Sequence, residues 1–107
     1  MMRTVRDQLL YFDDCPHWPV MEERLRQALA LCGIPQTIEH RPVETPEEAD
    51  KYRLAGSPSI LLNGSDPFAT SSGEVGLACR VYPTPDGAAG APTVEQLIAA
   101  IKGAAKY

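Results

Sequence analysis

Leu9-Leu10-Tyr11-Phe12 is an unbroken apolar run, and it ends at Asp13-Asp14-Cys15-Pro16-His17-Trp18-Pro19. A candidate strand over Thr4–Phe12 that closes on such a run fits burial on both faces, the position of a central strand in an α/β sheet. Pro16 and Pro19 fall where a helix tolerates proline, because first-turn N–H groups have no intrahelical partner. From Met21 the apolar residues recur at Met21, Leu25, Ala28, Leu29 and Cys32, with Glu22, Glu23, Arg24, Arg26 and Gln27 between them. That is helical spacing. Gly33 suits the position after the helix, and Pro35 prevents its resumption. Cys15 therefore stands at a strand-to-helix junction. A helix N-terminus and a neighbouring His17 both favour a thiolate there, whereas Asp13 and Asp14 oppose one.

The rest of the chain continues the alternation. Gln36–Val43 is a weaker strand, with Pro42 pointing to an edge position. Thr45-Pro46-Glu47-Glu48 is a helix start with a capping-box pattern, and the helix ends near Leu54, before Gly56. Ser59–Leu62 reads as a short strand, Asn63-Gly64 as a turn, and Pro58 as the strand's opening residue and a candidate cis peptide. Ser65–Gly76 is polar and irregular. Ala78–Tyr82 reads as another strand and Pro83–Pro92 as a loop. Thr93-Val94-Glu95-Gln96 repeats the capping-box pattern, ahead of an apolar stripe at Val94, Leu97, Ile98 and Ile101. The order β-α-β-α-β-β-α suits one domain over residues 1–107, with no internal repeat.

Composition limits the partners. Ten Lys+Arg against fourteen Asp+Glu give a net charge of −4, and no basic cluster stands out, which speaks against nucleic-acid binding. No apolar stretch approaches a membrane span, and Met1–Asp7 does not read as a secretory signal, so the default expectation is a soluble cytoplasmic protein. The cysteines at positions 15, 32 and 79 are an odd number at wide, unequal spacing. They form neither a disulfide framework nor the close pairs of a zinc site, so no metal or cofactor is expected. Cys32, on the apolar stripe, reads as structural.

Cys15-Pro16-His17-Trp18, at the end of the first strand, and Gly56-Ser57-Pro58-Ser59, opening the third, together resemble the thioredoxin-like superfamily across essentially the whole chain. The first segment is similar to the Cys-Pro-His-Cys motif of thiol-oxidising members, with Trp18 in place of the second cysteine. The second is similar to the segment in which a cis-proline lies against the active cysteine. The resemblance implies a three-layer α/β sandwich with a mixed four-stranded sheet, ordered 2-1-3-4 along the chain. Two helices would lie on one face and one on the other. It also implies that Pro58 reaches the end of the sheet where Cys15 sits and that the Pro83–Pro92 loop rims that end. Cys79 would lie roughly 10 Å short of it, too far for a direct disulfide to Cys15, which needs Cα atoms within about 7 Å.

These residues frame the functional expectations. Cys15 is the candidate nucleophile and His17 its candidate proton carrier, with Pro16, Trp18, Ser57 and Pro58 as site walls. Trp18 also reads as packing against the first strand. With no resolving cysteine in the motif, a mixed disulfide at Cys15 needs an outside thiol such as glutathione, and the partners would be a small thiol or a protein thiol or disulfide. A second reading is a non-catalytic adaptor or ligand-binding domain, and a third is a sulfur or metal carrier working beside a larger enzyme. A remote one follows from a similarity, which includes the Cys79-Arg80 pair, to sequences labelled alkylmercury lyase: Cys15 and Cys79 as thiolates with Asp66 as acid.

Overall fold

Every residue of strand β1 (Asp7–Tyr11) is buried, as a central strand demands. The computed structural model describes residues 5–12, 15–54, 56–69 and 80–105. Strand β2 (Ile38–Pro42) pairs with β1 in parallel, Asp7 opposite Ile38 and Tyr11 opposite Pro42. Strand β3 (Ser59–Leu62) pairs with the other side of β1 antiparallel, Leu9 opposite Ile60. The sheet order is β2-β1-β3. β2, exposed along much of its length, is the edge strand that Pro42 signalled.

Side chains alternate across β1, so each face receives its own core. Leu9 and Tyr11 pack with Met21, Leu25 and Leu29 of helix α1 (Trp18–Leu31) and with Leu97 and Ile101 of helix α3 (Val94–Ala104). Leu10 packs on the opposite face with Val43, Leu54 and Ala49 of helix α2 (Pro46–Tyr52). Two helices thus cover one face and one covers the other.

Helix boundaries follow local chemistry. α1 begins at Trp18, with Pro19 in its first turn and His17 as an N-cap that makes no side-chain capping bond. Pro16 accordingly lies outside the helix. Gly33, at φ +69°, ends α1 in a left-handed conformation, and the Ile34 N–H reaches back to the Leu29 carbonyl at 2.9 Å. At α2 the Thr45 hydroxyl accepts from the Glu48 N–H, while the Glu48 carboxylate accepts from the Glu44 N–H, one residue earlier than a capping box requires. At α3 the box is complete: Thr93 Oγ1 accepts from the Gln96 N–H at 3.1 Å, and Gln96 Oε1 from the Thr93 N–H at 2.8 Å.

The expected loop over Pro83–Pro92 needs correction, while the expected strand over Ala78–Tyr82 begins outside the described residues. Tyr82–Thr84 forms strand β4, Gly87–Ala89 forms strand β5, and the two pair as an antiparallel hairpin separate from the main sheet. Two short extended segments around Pro85-Asp86 satisfy one another's backbone groups, so a stretch rich in Pro and Gly folds as a ribbon. Ala78 and Cys79 lie outside the described residues. Among the described residues the main sheet has three strands, not four; the Arg80 N–H nevertheless donates to the Ser57 carbonyl at 2.9 Å, tying this segment to the start of β3.

Candidate functional site

Cys15 follows β1 by a turn in which its N–H donates to the Phe12 carbonyl at 3.0 Å. Its side chain is buried, with 2 % of the residue exposed. Because α1 starts at Trp18, Cys15 stands two residues before the N-cap and not in the first helical turn. The dipole contribution expected from the sequence is weaker at that distance, since it falls off within the first turn. Pro16 and His17 are exposed beside it.

β3 brings the second segment to the same end of the sheet. The Phe12 N–H donates to Ser57 Oγ at 3.3 Å, which fixes the chain leaving β1 against the start of β3. The Ser57–Pro58 peptide is cis, as the sequence had suggested it could be. Ser57 and Ser59 are buried, and both hydroxyls are used: Ser59 Oγ donates to the Gly56 carbonyl at 2.6 Å and accepts from Arg80 Nη1 at 2.9 Å. The Tyr82 hydroxyl donates to the Pro58 carbonyl.

Arg80 organises what lies behind this segment. Nη1 meets Asp66 Oδ2 at 2.6 Å, Nη2 donates to the Phe68 carbonyl at 2.6 Å, and the guanidinium carbon sits 4.6 Å from the Tyr82 ring centre. The pair is largely buried, with side-chain exposures of 9 % and 14 %. The other Asp66 oxygen accepts from the Phe68 N–H at 2.8 Å, and the Phe68 ring meets Tyr82 edge-on at 5.5 Å. Burial raises the pKa of Tyr82 well above the ordinary phenol value; Arg80 opposes that shift, and Asp66 and Cys15 add to it. Asp66, the acid of the mercury reading, has its carboxylate engaged by Arg80, and the second thiol of that reading, Cys79, lies outside the described residues.

The β4–β5 hairpin rims the same end. Its exit passes against the His17 ring at Gly90, where a Cβ would lie 2.4 Å from the imidazole Cγ. Arg24 of α1 holds the following residues, with Nη1 donating to the Pro92 carbonyl at 3.0 Å, and Gln96 of α3 donates to the Pro83 carbonyl at 2.9 Å.

Trp18 turns the other way. It stacks on Tyr11 with ring centres 4.4 Å apart and meets His40 of β2 edge-on at 6.4 Å. His40 Nε2 lies 2.6 Å from Glu22 Oε1, so Trp18 belongs to a packed cluster on the β2 side of β1, while Pro58 is on the β3 side. Its packing role is the one the geometry displays. Cys32 caps the far end of α1, half-buried against the main core. Fourteen helical residues separate it from the Cys15 end, about 21 Å at the usual rise, so it cannot resolve a disulfide at Cys15 in this fold.

In the sequence Arg80 figures only through the Cys-Arg pair of the mercury resemblance and Tyr82 only as the end of a strand, and nothing local distinguishes Gly90 from the other residues of a Pro/Gly-rich stretch. Among the described residues no three His, Cys, Asp or Glu side chains gather to hold a metal, and no helix is long and apolar enough to cross a membrane. The fold and site define a mixed α/β protein with a buried cysteine at the sheet end where a cis-proline segment opens β3. No family model, curated protein or solved structure matches the chain.

Proposed function

We propose that this chain is a thioredoxin-like protein that uses Cys15 alone for thiol–disulfide exchange with an external thiol. The observation that carries the reading is the link from Cys15 to the Ser57–Pro58 cis peptide: the Cys15 N–H bonds the Phe12 carbonyl, and the Phe12 N–H bonds Ser57 Oγ. The Cys15 thiolate attacks one sulfur of a disulfide; a new S–S bond forms at Cys15, the old one breaks, and the second sulfur leaves as a thiolate. A second thiolate, glutathione being the expected one, attacks that mixed disulfide and regenerates Cys15. His17 is the group that takes and returns the thiol proton.

The test is mass spectrometry of protein incubated with oxidised glutathione. One glutathione on Cys15, lost on adding reduced glutathione and absent in Cys15→Ser, is expected. Modification at Cys32 or Cys79 without Cys15 would contradict it. The adaptor reading draws support from the 2 % exposure of Cys15 and from the packing of Trp18. It predicts instead that Cys15→Ser leaves every partner and activity in place.

A further inference from the structure

We propose that Gly90 is a positioning residue for His17: the segment leaving β5 sets where the imidazole, two residues after Cys15 in the chain, can lie, and only a residue without a side chain leaves room for it. This rests on the reading of Cys15 as a reactive thiol. A Cβ at position 90 would lie 2.4 Å from Cγ, 2.6 Å from Cδ2 and 2.7 Å from Nδ1 of His17. These are atoms of the ring body, not a flexible chain end, so the ring must leave if a methyl group enters. Gly33, Gly64, Gly87 and Gly103 have open space at the same test. Gly33, Gly56, Gly64 and Gly87 have positive φ, whereas Gly90 serves by its lack of bulk.

The segment cannot simply back away. Arg24 holds the carbonyls of Ala91 and Pro92, the Thr93–Gln96 capping box fixes the chain just beyond them, and the Tyr82 hydroxyl anchors the start of the hairpin to Pro58. His17 is exposed and lacks a capping bond, and the Gly90 backbone is a contact that limits its rotamers. The charged groups carried by or bonded to this segment are Arg24 and Asp86, the latter in the hairpin turn.

Iodoacetamide alkylation of Cys15, read by mass spectrometry in wild type, Gly90→Ala, His17→Ala and the double variant, tests the proposal together with the NMR signals of the His17 ring. Gly90→Ala should slow Cys15 alkylation about 3- to 10-fold, within the range over which neighbouring residues couple. It should do nothing further once His17 is absent, and it should move the His17 ring signals while the Trp18 indole signal stays in place. An equal slowing with and without His17, a faster reaction, or unmoved ring signals would overturn it. Should wild-type Cys15 fail to react at all, the thiol reading falls, and the ring signals still decide whether Gly90 seats His17.

Discussion

At the Tyr11 end of β1, on the β3 side, the buried polar groups partner one another: Ser57 with Phe12, Ser59 with Gly56 and Arg80, Arg80 with Asp66 and Phe68, and Tyr82 with Pro58. On the β2 side of that end Arg41 Nε, opposite Leu10, is buried without a hydrogen bond among the described residues. At the other end, four residues or about 13 Å away, Asp7 is 2 % exposed and neither carboxylate oxygen has a hydrogen bond among the described residues. Its cross-strand neighbours are Ile38 and Leu62. Loss of water around the group pushes its pKa up to about 6. Polar burial is tolerable when every group finds a partner and costly when one does not. The end that carries Cys15 is therefore framed by side-chain bonds around β3, whereas at the end that carries Asp7 the Arg6–Glu39 pair and the Asn63 bonds lie at the exposed surface and leave the buried Asp7 carboxylate without a hydrogen bond among the described residues.

The largest effect should come from breaking the network. Arg80→Leu leaves the Asp66 carboxylate buried without its cation and the Phe68 carbonyl without a donor, and should cost about 3–5 kcal/mol in urea unfolding. A loss below about 1 kcal/mol would mean the network is dispensable.

Next is Asp7, where the sign reverses. Its folded pKa is raised, so the favourable condition is the protonated one, present in full below the unfolded value near 3.8. Stability should fall as pH rises from about 4 to about 6, by up to about 3 kcal/mol for a shift of this size. Asp7→Asn should remove that slope and be more stable than wild type at pH 7, with little difference at pH 3.5. Unfolding curves at the two pH values would settle this, and a destabilised Asp7→Asn at pH 7 would show that the carboxylate has a partner.

A smaller effect belongs to Tyr82→Phe, which keeps the ring against Phe68 and Arg80 but leaves the Pro58 carbonyl without its donor, at about 1–2 kcal/mol. Combined with Arg80→Leu it should cost less than the sum, because the two act on one network.

Much of the scaffold could be read ahead of the structure, since it depends on patterns within a few residues. The apolar run before Cys15, the spacing from Met21 to Leu29, Gly33, Asn63-Gly64 and the Thr93–Gln96 box each record a local physical demand. The hairpin did not show itself, because Tyr82–Thr84 and Gly87–Ala89 have too few side chains for an alternating pattern and are held by backbone pairing. Asp7 was readable in principle: in a strand it shares a face with Leu9 and Tyr11, so once that face is buried Asp7 is buried too. The Arg80–Asp66 pair joins residues from separate segments, and Gly90 meets His17 from 73 positions away, contacts that no single stretch of sequence encodes.

The central claim is that position, not access, governs Cys15. Competitive alkylation of the native protein at neutral pH, read site by site by mass spectrometry, sets it directly against Cys32. Exposure alone favours Cys32, which is half-buried, over Cys15 at 2 %. The account predicts that Cys15 reacts about tenfold faster or more, as a thiol held in an activating site does. Faster reaction at Cys32, with Cys15 untouched until the protein unfolds, would contradict it.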